Sequence, residues 1–123
     1  MEVPAFKSRL AHDGRSIALE LMTNSLNIPR EFNAALHFID SHITAGRLDK
    51  IAIIDDDGRY SYGELFVRVN RAGNALINLG LSPEARVAMI MSDSIDFLAI
   101  FWGAIKAGFV PVPINSLLTS YSY

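Results

Sequence analysis

Four polar residues, Ser92, Asp93, Ser94 and Asp96, follow an apolar run in the second half of the chain. If that run is a strand, these residues lie near its carboxyl end, which is where open α/β sheets bind ligands. A helix that begins here could bind an anion through its free N–H groups. The same residue types also cap helix N termini, and we favour this structural interpretation over the functional one.

Two further sets of side chains contain possible metal ligands. Asp55, Asp56 and Asp57 are consecutive and lack the alternate spacing and the later glutamate of a calcium loop, so we interpret them as a solvated turn. His37 and His42 are five residues apart, whereas neighbours on one helix face are three or four apart. We interpret both histidines as helix-surface residues and nominate no metal ligand.

The residue types alone identify no active site. The sequence has no G-x-x-x-x-G-K-[ST] phosphate loop, no G-x-G-x-x-G fingerprint and no serine in a nucleophile elbow. A net charge of -2, without a Lys/Arg cluster, argues against nucleic-acid binding. We therefore nominate no catalytic, cofactor-binding or metal-binding residue.

Composition allows a packed core and does not indicate a membrane span. Half of the 123 residues are hydrophobic, which is enough for a packed core, and no apolar run approaches the roughly 20 residues that span a bilayer. Glu20 interrupts the one apolar stretch that could belong to a signal peptide, so we predict none. The absence of cysteine fits a reducing cytoplasm, which is the location we expect.

Residues 86–114 organise the predicted fold. An apolar run, a helix-length apolar segment closed by Gly108 and a second apolar run predict a βαβ unit whose strands are buried on both faces. Gly103 inside the helix predicts the close approach of another backbone. Large apolar side chains cover almost the whole circumference of this helix, which is typical of a helix inside a large protein: Phe97, Leu98, Phe101, Trp102 and Ile105.

Two elements are predicted before this unit. An amphipathic helix should run from Pro29 to Gly46. Its predicted apolar face consists of Phe32, Ala35, Leu36, Ile39 and Ile43. A hairpin should follow, with strands at 50–55 and 59–62, because Asp57-Gly58 is a tight-turn signal in which glycine accepts a positive φ.

A second helix should then begin at the capping box formed by Ser61 and Glu64 and end at Gly80. Its predicted buried stripe consists of Leu65, Val69, Ala72, Leu76 and Leu79. On its exposed side, Glu64 and Arg68 are four residues apart and are predicted to form an ion pair.

Two segments resemble the core motifs of a known family. YSYGEL at residues 60–65 resembles the first core motif of the adenylate-forming enzymes, and IKAGFVPVPIN at 105–115 resembles the second. Residues 70–76 and 80–81 fall where that family has its first long helix. The resemblance extends from about Ile28 to the end of the chain, with both order and spacing preserved.

Within this family the chain most resembles the benzoate- and 4-hydroxybenzoate-CoA ligases. The residues that suggest this are FNAALHFID at 32–40, DK at 49–50, IDD at 54–56, FWGAIKAG at 101–108 and NSLLT at 115–119. The resemblance implies activation of an aromatic carboxylate by ATP and Mg²⁺ as an acyl-adenylate, followed by transfer to coenzyme A. The family's phosphate loop, ribose-binding aspartate, hinge and catalytic lysine have no counterparts in this sequence, so no cofactor is assigned to the chain itself.

The predicted fold is therefore α/β, a partial doubly wound sheet with a hairpin and a βαβ unit, which begins the large N-terminal domain of the adenylate-forming fold. Residues 1–27 are expected to be a weakly ordered leader and 28–123 an incomplete part of that domain. We expect a fragment of an aryl-CoA ligase, inactive alone and prone to self-association through exposed apolar surface and a free strand edge. Two alternatives remain: a short interaction module, and a small α/β domain that binds a ligand through Ser92 to Asp96.

Overall fold

The chain divides into two compact units, Met1–Phe32 and Asn33–Tyr123. The computed structural model describes residues 27–117, and the helices and strands given below all belong to the second unit. The predicted leader lies outside the described residues except for Asn27. None of the helices between residues 27 and 117 combines the length and the hydropathy that a membrane crossing requires.

The first helical segment is a π-helix at Leu36–Asp40 that continues into α1 at Ser41–Thr44. Its predicted start at Pro29 is wrong, because Asn33 sets the beginning: its Oδ1 accepts the N–H groups of Ala35 (3.0 Å) and Leu36. The wide π turn changes the spacing of the side chains. As a result, Leu36, predicted to be buried, is 50% exposed, whereas Ala35 and Ile39 are buried.

The predicted hairpin is confirmed, with β1 at Ile51–Ile54 antiparallel to β2 at Arg59–Ser61. Its turn differs from the predicted one because Gly58 does not have a positive φ. Instead, Oδ1 of Asp55 accepts the N–H groups of Asp57 and Gly58, both at 3.0 Å. An aspartate side chain that bonds its own following backbone makes a turn without positive φ.

Helix α2 runs from Tyr62 to Asn78, and its predicted capping box is confirmed. Oγ of Ser61 accepts the N–H of Glu64 (3.2 Å), and the Glu64 carboxylate accepts the N–H of Ser61 (2.8 Å). Leu65 and Val69 are buried as predicted, but Leu79 is 68% exposed because the helix has already ended before it.

The predicted βαβ unit is confirmed: β3 at Arg86–Met89 is parallel to β4 at Val110–Pro113, and α3 at Ile95–Lys106 connects them. The prediction that both strands are buried on both faces is wrong within residues 27–117. Of the residues of β3 and β4, Met89 alone is fully buried. The hairpin and the parallel pair form two separate sheets.

Helices α2 and α3 cross at two glycines. A Cβ atom added at Gly103 would lie 2.8 Å from both the Gly73 nitrogen and the Val69 oxygen. The backbone approach predicted from Gly103 is therefore confirmed. The core beside this crossing consists of Ile39, Leu65, Val69 and Ile95, which pack against the hairpin and the indole of Trp102.

Candidate functional site

The segment after β3 forms the N terminus of α3. Ser94 has an extended backbone, and its Oγ accepts the N–H of Phe97 at 3.2 Å, so Ser94 is the N-cap. Ser92 and Asp93 precede the cap and are exposed. The sequence allowed Ser92, Asp93 or Ser94 to cap this helix, and in the structure Ser94 is the cap.

A second side chain reaches the same helix end from the hairpin. Oδ2 of Asp55 accepts the N–H of Ile95 at 3.0 Å. A carboxylate at this position also interacts favourably with the positive end of the helix dipole. Two of the N–H groups that could have held an anion, those of Ile95 and Phe97, are thus engaged by Asp55 and Ser94, which supports the capping interpretation of this segment.

Asp96 forms an ion pair across the helices instead of contributing to a ligand site. Its Oδ1 lies 2.7 Å from Nη1 of Arg68, whose guanidinium lies over the Tyr60 ring at 5.5 Å. The predicted pair between Glu64 and Arg68 is wrong, because the Glu64 carboxylate bonds the Ser61 N–H in the capping box.

The electrostatics of this region favour fixed charge states near neutral pH. The N–H of Ile95, together with those of Asp57 and Gly58, lowers the pKa of the Asp55 carboxyl, and burial opposes the shift. Burial and the nearby charges of Asp55 and Asp57 raise the pKa of the Tyr60 hydroxyl. Both shifts move the pKa of the side chain further from 7, so neither side chain is suited to proton transfer at pH 7.

A groove of about 590 Å³ lies at the carboxyl ends of β3 and β4. This edge is where α/β sheets place their ligands. Its polar lining consists of Ser92, Asp93, Asn115 and Ser116, and its apolar lining includes Met91, Phe97 and Pro113. These groups can bind polar atoms, but the lining contains no pairing of a nucleophile with a base.

The other predicted candidates have structural roles. The three consecutive aspartates form the hairpin turn, and no three metal-ligating side chains converge anywhere in residues 27–117. The two histidines belong to different parts of the first helical segment. The His42 ring stacks on Tyr62 with 3.7 Å between centroids, and its Nδ1 accepts the Nε–H of Arg47 at 3.0 Å.

Sequence reasoning missed a set of contacts around the C terminus of α3. Nζ of Lys106 lies 2.7 and 2.8 Å from the two carboxylate oxygens of Asp40 and 4.7 Å from the Phe66 ring centroid. Nδ2 of Asn33 donates to the Ile105 carbonyl at 3.1 Å. Lys106 and Asp40 are 66 residues apart in the chain and Asn33 and Ile105 are 72 apart, and only the resemblance in 32–40 and 101–108 included both segments.

The two motif-like segments build the junctions between elements. Residues 60–65 contain the end of β2 and the capping box of α2. Residues 105–115 contain the end of α3, Gly108 with a φ of 84°, and β4. Within the described residues both segments act on the scaffold, since Ser61 and Glu64 close the capping box and Lys106 pairs with Asp40.

Comparison with known proteins identifies the family. The sequence model of the family described as AMP-binding enzyme matches residues 41–122, which is more than half of the chain. The chain therefore belongs to the AMP-binding enzymes. Its mixed helix and strand architecture matches the N-terminal domain of adenylate-forming enzymes, as predicted.

Its relatives include aryl-CoA ligases. The chain is 47% identical over 94 residues to the 4-hydroxybenzoate–CoA/benzoate–CoA ligase of Rhodopseudomonas palustris, covering 76% of this chain and 17% of that protein. It is 49% identical over 100 residues to the benzoate–CoA ligase of Thauera aromatica, covering 80% and 19%. The chain thus spans about a fifth of the length of these relatives.

A solved structure agrees with this relationship. The benzoate CoA ligase from Burkholderia xenovorans superposes with a TM-score of 0.67 at 43% identity. The superposition covers 72% of this chain and 18% of the other. The likeness therefore concerns one part of the larger enzyme.

Proposed function

We propose that residues 28–123 form the beginning of the large N-terminal domain of an ATP-dependent aryl-CoA ligase. The observation that carries this proposal is the identity of 47% and 49% to two ligases that act on benzoate or 4-hydroxybenzoate. The substrate class is accordingly an aromatic carboxylic acid. We place the whole enzyme in the cytoplasm, since a chain without cysteine suits a reducing compartment.

The proposed reaction has two steps. A carboxylate oxygen attacks the α-phosphorus of ATP, and the bond from that phosphorus to the bridging oxygen of pyrophosphate breaks. The sulfur of coenzyme A, after loss of its proton, then attacks the acyl carbon. The bond between that carbon and the AMP oxygen breaks, which releases AMP and leaves the thioester.

The part of this chain in the reaction is structural. Its caps, its glycine crossing and its βαβ unit build a scaffold, and its described side chains present no nucleophile, base or metal cluster. Residues 27–117 thus do not fit a Mg²⁺ site, and we assign no residue here to Mg²⁺, ATP or coenzyme A. We expect the 123-residue chain alone to be inactive.

A chimera tests the proposal. Residues 28–117 replace the segment that they match in the Thauera aromatica ligase, and formation of benzoyl-CoA is measured with benzoate, ATP, Mg²⁺ and coenzyme A. We expect the chimera to be active, and both the 123-residue chain and the ligase lacking that segment to be inactive. An inactive but folded chimera would contradict the proposed function, and turnover by the chain alone would contradict its structural role.

A second candidate is self-association of the 123-residue chain. Several large apolar side chains are exposed at the C-terminal end of α2, directly after β3 and on β4, which favours association: Ile77, Leu79, Ile90, Val110 and Val112. Light scattering at micromolar concentration measures this directly. We expect a mass of at least twice 13.6 kDa, and a stable monomer would contradict the candidate.

A further inference from the structure

The hairpin turn contains Asp57-Gly58, and the sequence has one other Asp-Gly pair, Asp13-Gly14. The turn does not need a glycine for its conformation. The φ of Gly58 is not positive, and a Cβ atom added there would lie 3.8 Å from the Tyr60 hydroxyl oxygen, which is an ordinary contact. The glycine does affect the reactivity of the preceding aspartate, because a residue without Cβ leaves its backbone nitrogen unhindered.

An aspartate that precedes a glycine can isomerise through a cyclic imide. The nitrogen of Gly58 attacks Cγ of the protonated Asp57 carboxyl, the bond between them forms, and the carboxyl hydroxyl leaves with the amide proton as water. Water then adds to one of the two ring carbonyls, and the bond from that carbon to the nitrogen breaks. Opening at Cγ restores aspartate. Opening at the main-chain carbonyl leaves isoaspartate, whose backbone runs through Cβ and Cγ and whose mass is unchanged.

Three hydrogen bonds to Asp55 restrain this reaction in the folded chain. Oδ1 of Asp55 accepts the N–H groups of Asp57 and Gly58, both at 3.0 Å. The N–H of Asp55 donates to the Gly58 carbonyl, also at 3.0 Å. The peptide groups on both sides of Gly58 are therefore held in place. To reach Cγ of Asp57, the Gly58 nitrogen has to leave a charged acceptor, and hydrogen bonds to charged groups are the stronger ones.

The charge of Asp55 opposes the reaction as well. The N–H of Ile95 is the main cause that lowers the pKa of the Asp55 carboxyl, which is therefore ionised at pH 7. A negative charge beside the Gly58 nitrogen disfavours the loss of the amide proton that the attack requires. Because Oδ2 of the same carboxylate accepts the Ile95 N–H at 3.0 Å, α3 holds Asp55 in this position.

We propose that Asp57 is a site of isoaspartate formation and that the Asp55 carboxylate, held by the N terminus of α3, suppresses the reaction in the folded chain. Asp57 is exposed, so water, the one co-reactant, has access to it. Isoaspartate adds one carbon to the main chain between the two N–H groups that Asp55 binds. The modification therefore weakens the contact that joins the hairpin to α3. The site belongs to this chain and is independent of the proposed ligase activity.

Peptide mapping measures the reaction. Trypsin cleaves after Lys and Arg, so the two Asp-Gly pairs fall in separate peptides, residues 10–15 and 51–59. An isoaspartyl peptide separates from its parent by chromatography, and electron-transfer fragmentation locates the isomerised residue. The folded 123-residue chain is incubated at pH 7 beside the same chain unfolded in urea, in which Asp13-Gly14 gives the rate of an unrestrained pair.

In urea we expect Asp57 to isomerise at a rate similar to that of Asp13. In the folded chain we expect Asp57 to isomerise at least about tenfold more slowly than in urea, because the bonds to Asp55 have to break first. No isoaspartate at Asp57 in urea, or equal rates at Asp57 in the folded and the unfolded chain, would overturn the proposal.

Three substitutions separate the role of Asp55 from overall stability. Asp55→Ala should accumulate isoaspartate at Asp57 at least about tenfold faster than the unchanged chain, and Asp55→Asn takes its place if the alanine variant does not fold. Gly58→Ala in the same background should suppress the increase. Gly103→Ala changes the crossing of α2 and α3 and not the turn, so it should react like the unchanged chain. A folded Asp55 variant without the increase, or an equal increase in Gly103→Ala, would show that Asp55 does not suppress the reaction.

Discussion

The carboxylate of Asp55 accepts the backbone N–H of Ile95 at 3.0 Å, although 40 residues separate them. The other oxygen of the same carboxylate closes the hairpin turn through the N–H groups of Asp57 and Gly58. One side chain thus joins the hairpin to the first residue of α3. In the sequence this residue belonged to an acidic run, and its partner could not be identified from spacing.

Removal of this carboxylate should destabilise the chain. Asp55→Ala leaves three N–H groups without their acceptor, whereas Asp55→Asn removes the charge and one of the two acceptor oxygens, because an amide NH2 group cannot accept. We expect a lower Tm for both variants at pH 7, with the larger decrease for Asp55→Ala. Thermal unfolding followed by circular dichroism measures the two shifts. Asp56→Asn, in the same turn, is the matched control and should have almost no effect.

The same bond should make stability depend on pH. Because the N–H of Ile95 lowers the pKa of Asp55 from 3.8, the folded state binds its proton less readily than the unfolded state. The contribution is therefore present above pH 3.8 and is lost as the pH falls through the lower, folded value. Asp55→Asn should remove this part of the acid destabilisation. An unchanged acid profile would show that the hydrogen bond does not contribute in solution.

The glycine crossing gives a third prediction. Gly103→Ala should gain about 1 kcal/mol of helix propensity, but its Cβ would lie 2.8 Å from backbone atoms of α2. Overpacking typically costs about 1–3 kcal/mol, and backbone atoms cannot rotate away as a side chain can. We expect a net destabilisation of up to about 2 kcal/mol in urea unfolding.

The control for this prediction is an exposed position on the other helix. Ala75 lies on the exposed side of α2, so Ala75→Gly changes helix propensity without altering a contact. It should cost about 1 kcal/mol. A stabilised Gly103→Ala variant, with the usual cost at Ala75, would mean that the helices separate without loss and that their close approach is not required.

Features set by neighbouring residues were predictable from the sequence. The capping box of Ser61 and Glu64 and the stops at Gly80 and Gly108 involve interactions within a few residues, so the local pattern determines them. The βαβ unit followed from the length and polarity of three successive segments. Gly103 predicted a close approach for a similar reason, since a glycine within a helix carries a propensity cost.

Features that depend on competition between partners were not predictable. Arg68 could bond Glu64 or Asp96, and the choice depends on the engagement of Glu64 with Ser61 in the capping box. The first helical segment begins at Asn33 and contains a π turn, which the periodic pattern of a regular helix does not reveal. At the candidate site, the capping role of Ser94 was among the sequence possibilities, but the contribution of Asp55 was not.

Two ion pairs should differ in strength according to their exposure. The side chains of Lys106 and Asp40 are 20% and 25% exposed, whereas those of Arg68 and Asp96 are 42% and 65% exposed. Solvent and salt screen the exposed pair more strongly. Double-mutant cycles with Asp40→Asn and Lys106→Met should give a coupling of about 1 kcal/mol, against about 0.3 kcal/mol for Arg68→Met and Asp96→Asn. Equal couplings would indicate that the Lys106 pair opens in solution.

The stack of His42 on Tyr62 should be sensitive to pH. Burial, followed by the positive charges of Arg47 and Lys50, lowers the pKa of His42 from 6.5. The Nδ1 atom that accepts from Arg47 cannot also carry a proton, so the observed contact requires the neutral ring. Protonation therefore breaks this bond, and the unfolded state binds the proton more readily.

Stability should consequently decrease as the pH falls below 6.5 through the lower pKa of folded His42. Arg47→Met removes both the donor and a positive charge, so the His42 pKa, measured from the ring proton resonances, should rise toward 6.5. Arg59→Met serves as the control, because it removes a positive charge on the hairpin that does not contribute to the shift of the His42 pKa. If Arg47→Met leaves the pKa unchanged while Lys50→Met raises it, the long-range charge, and not the hydrogen bond, determines the protonation state of this ring.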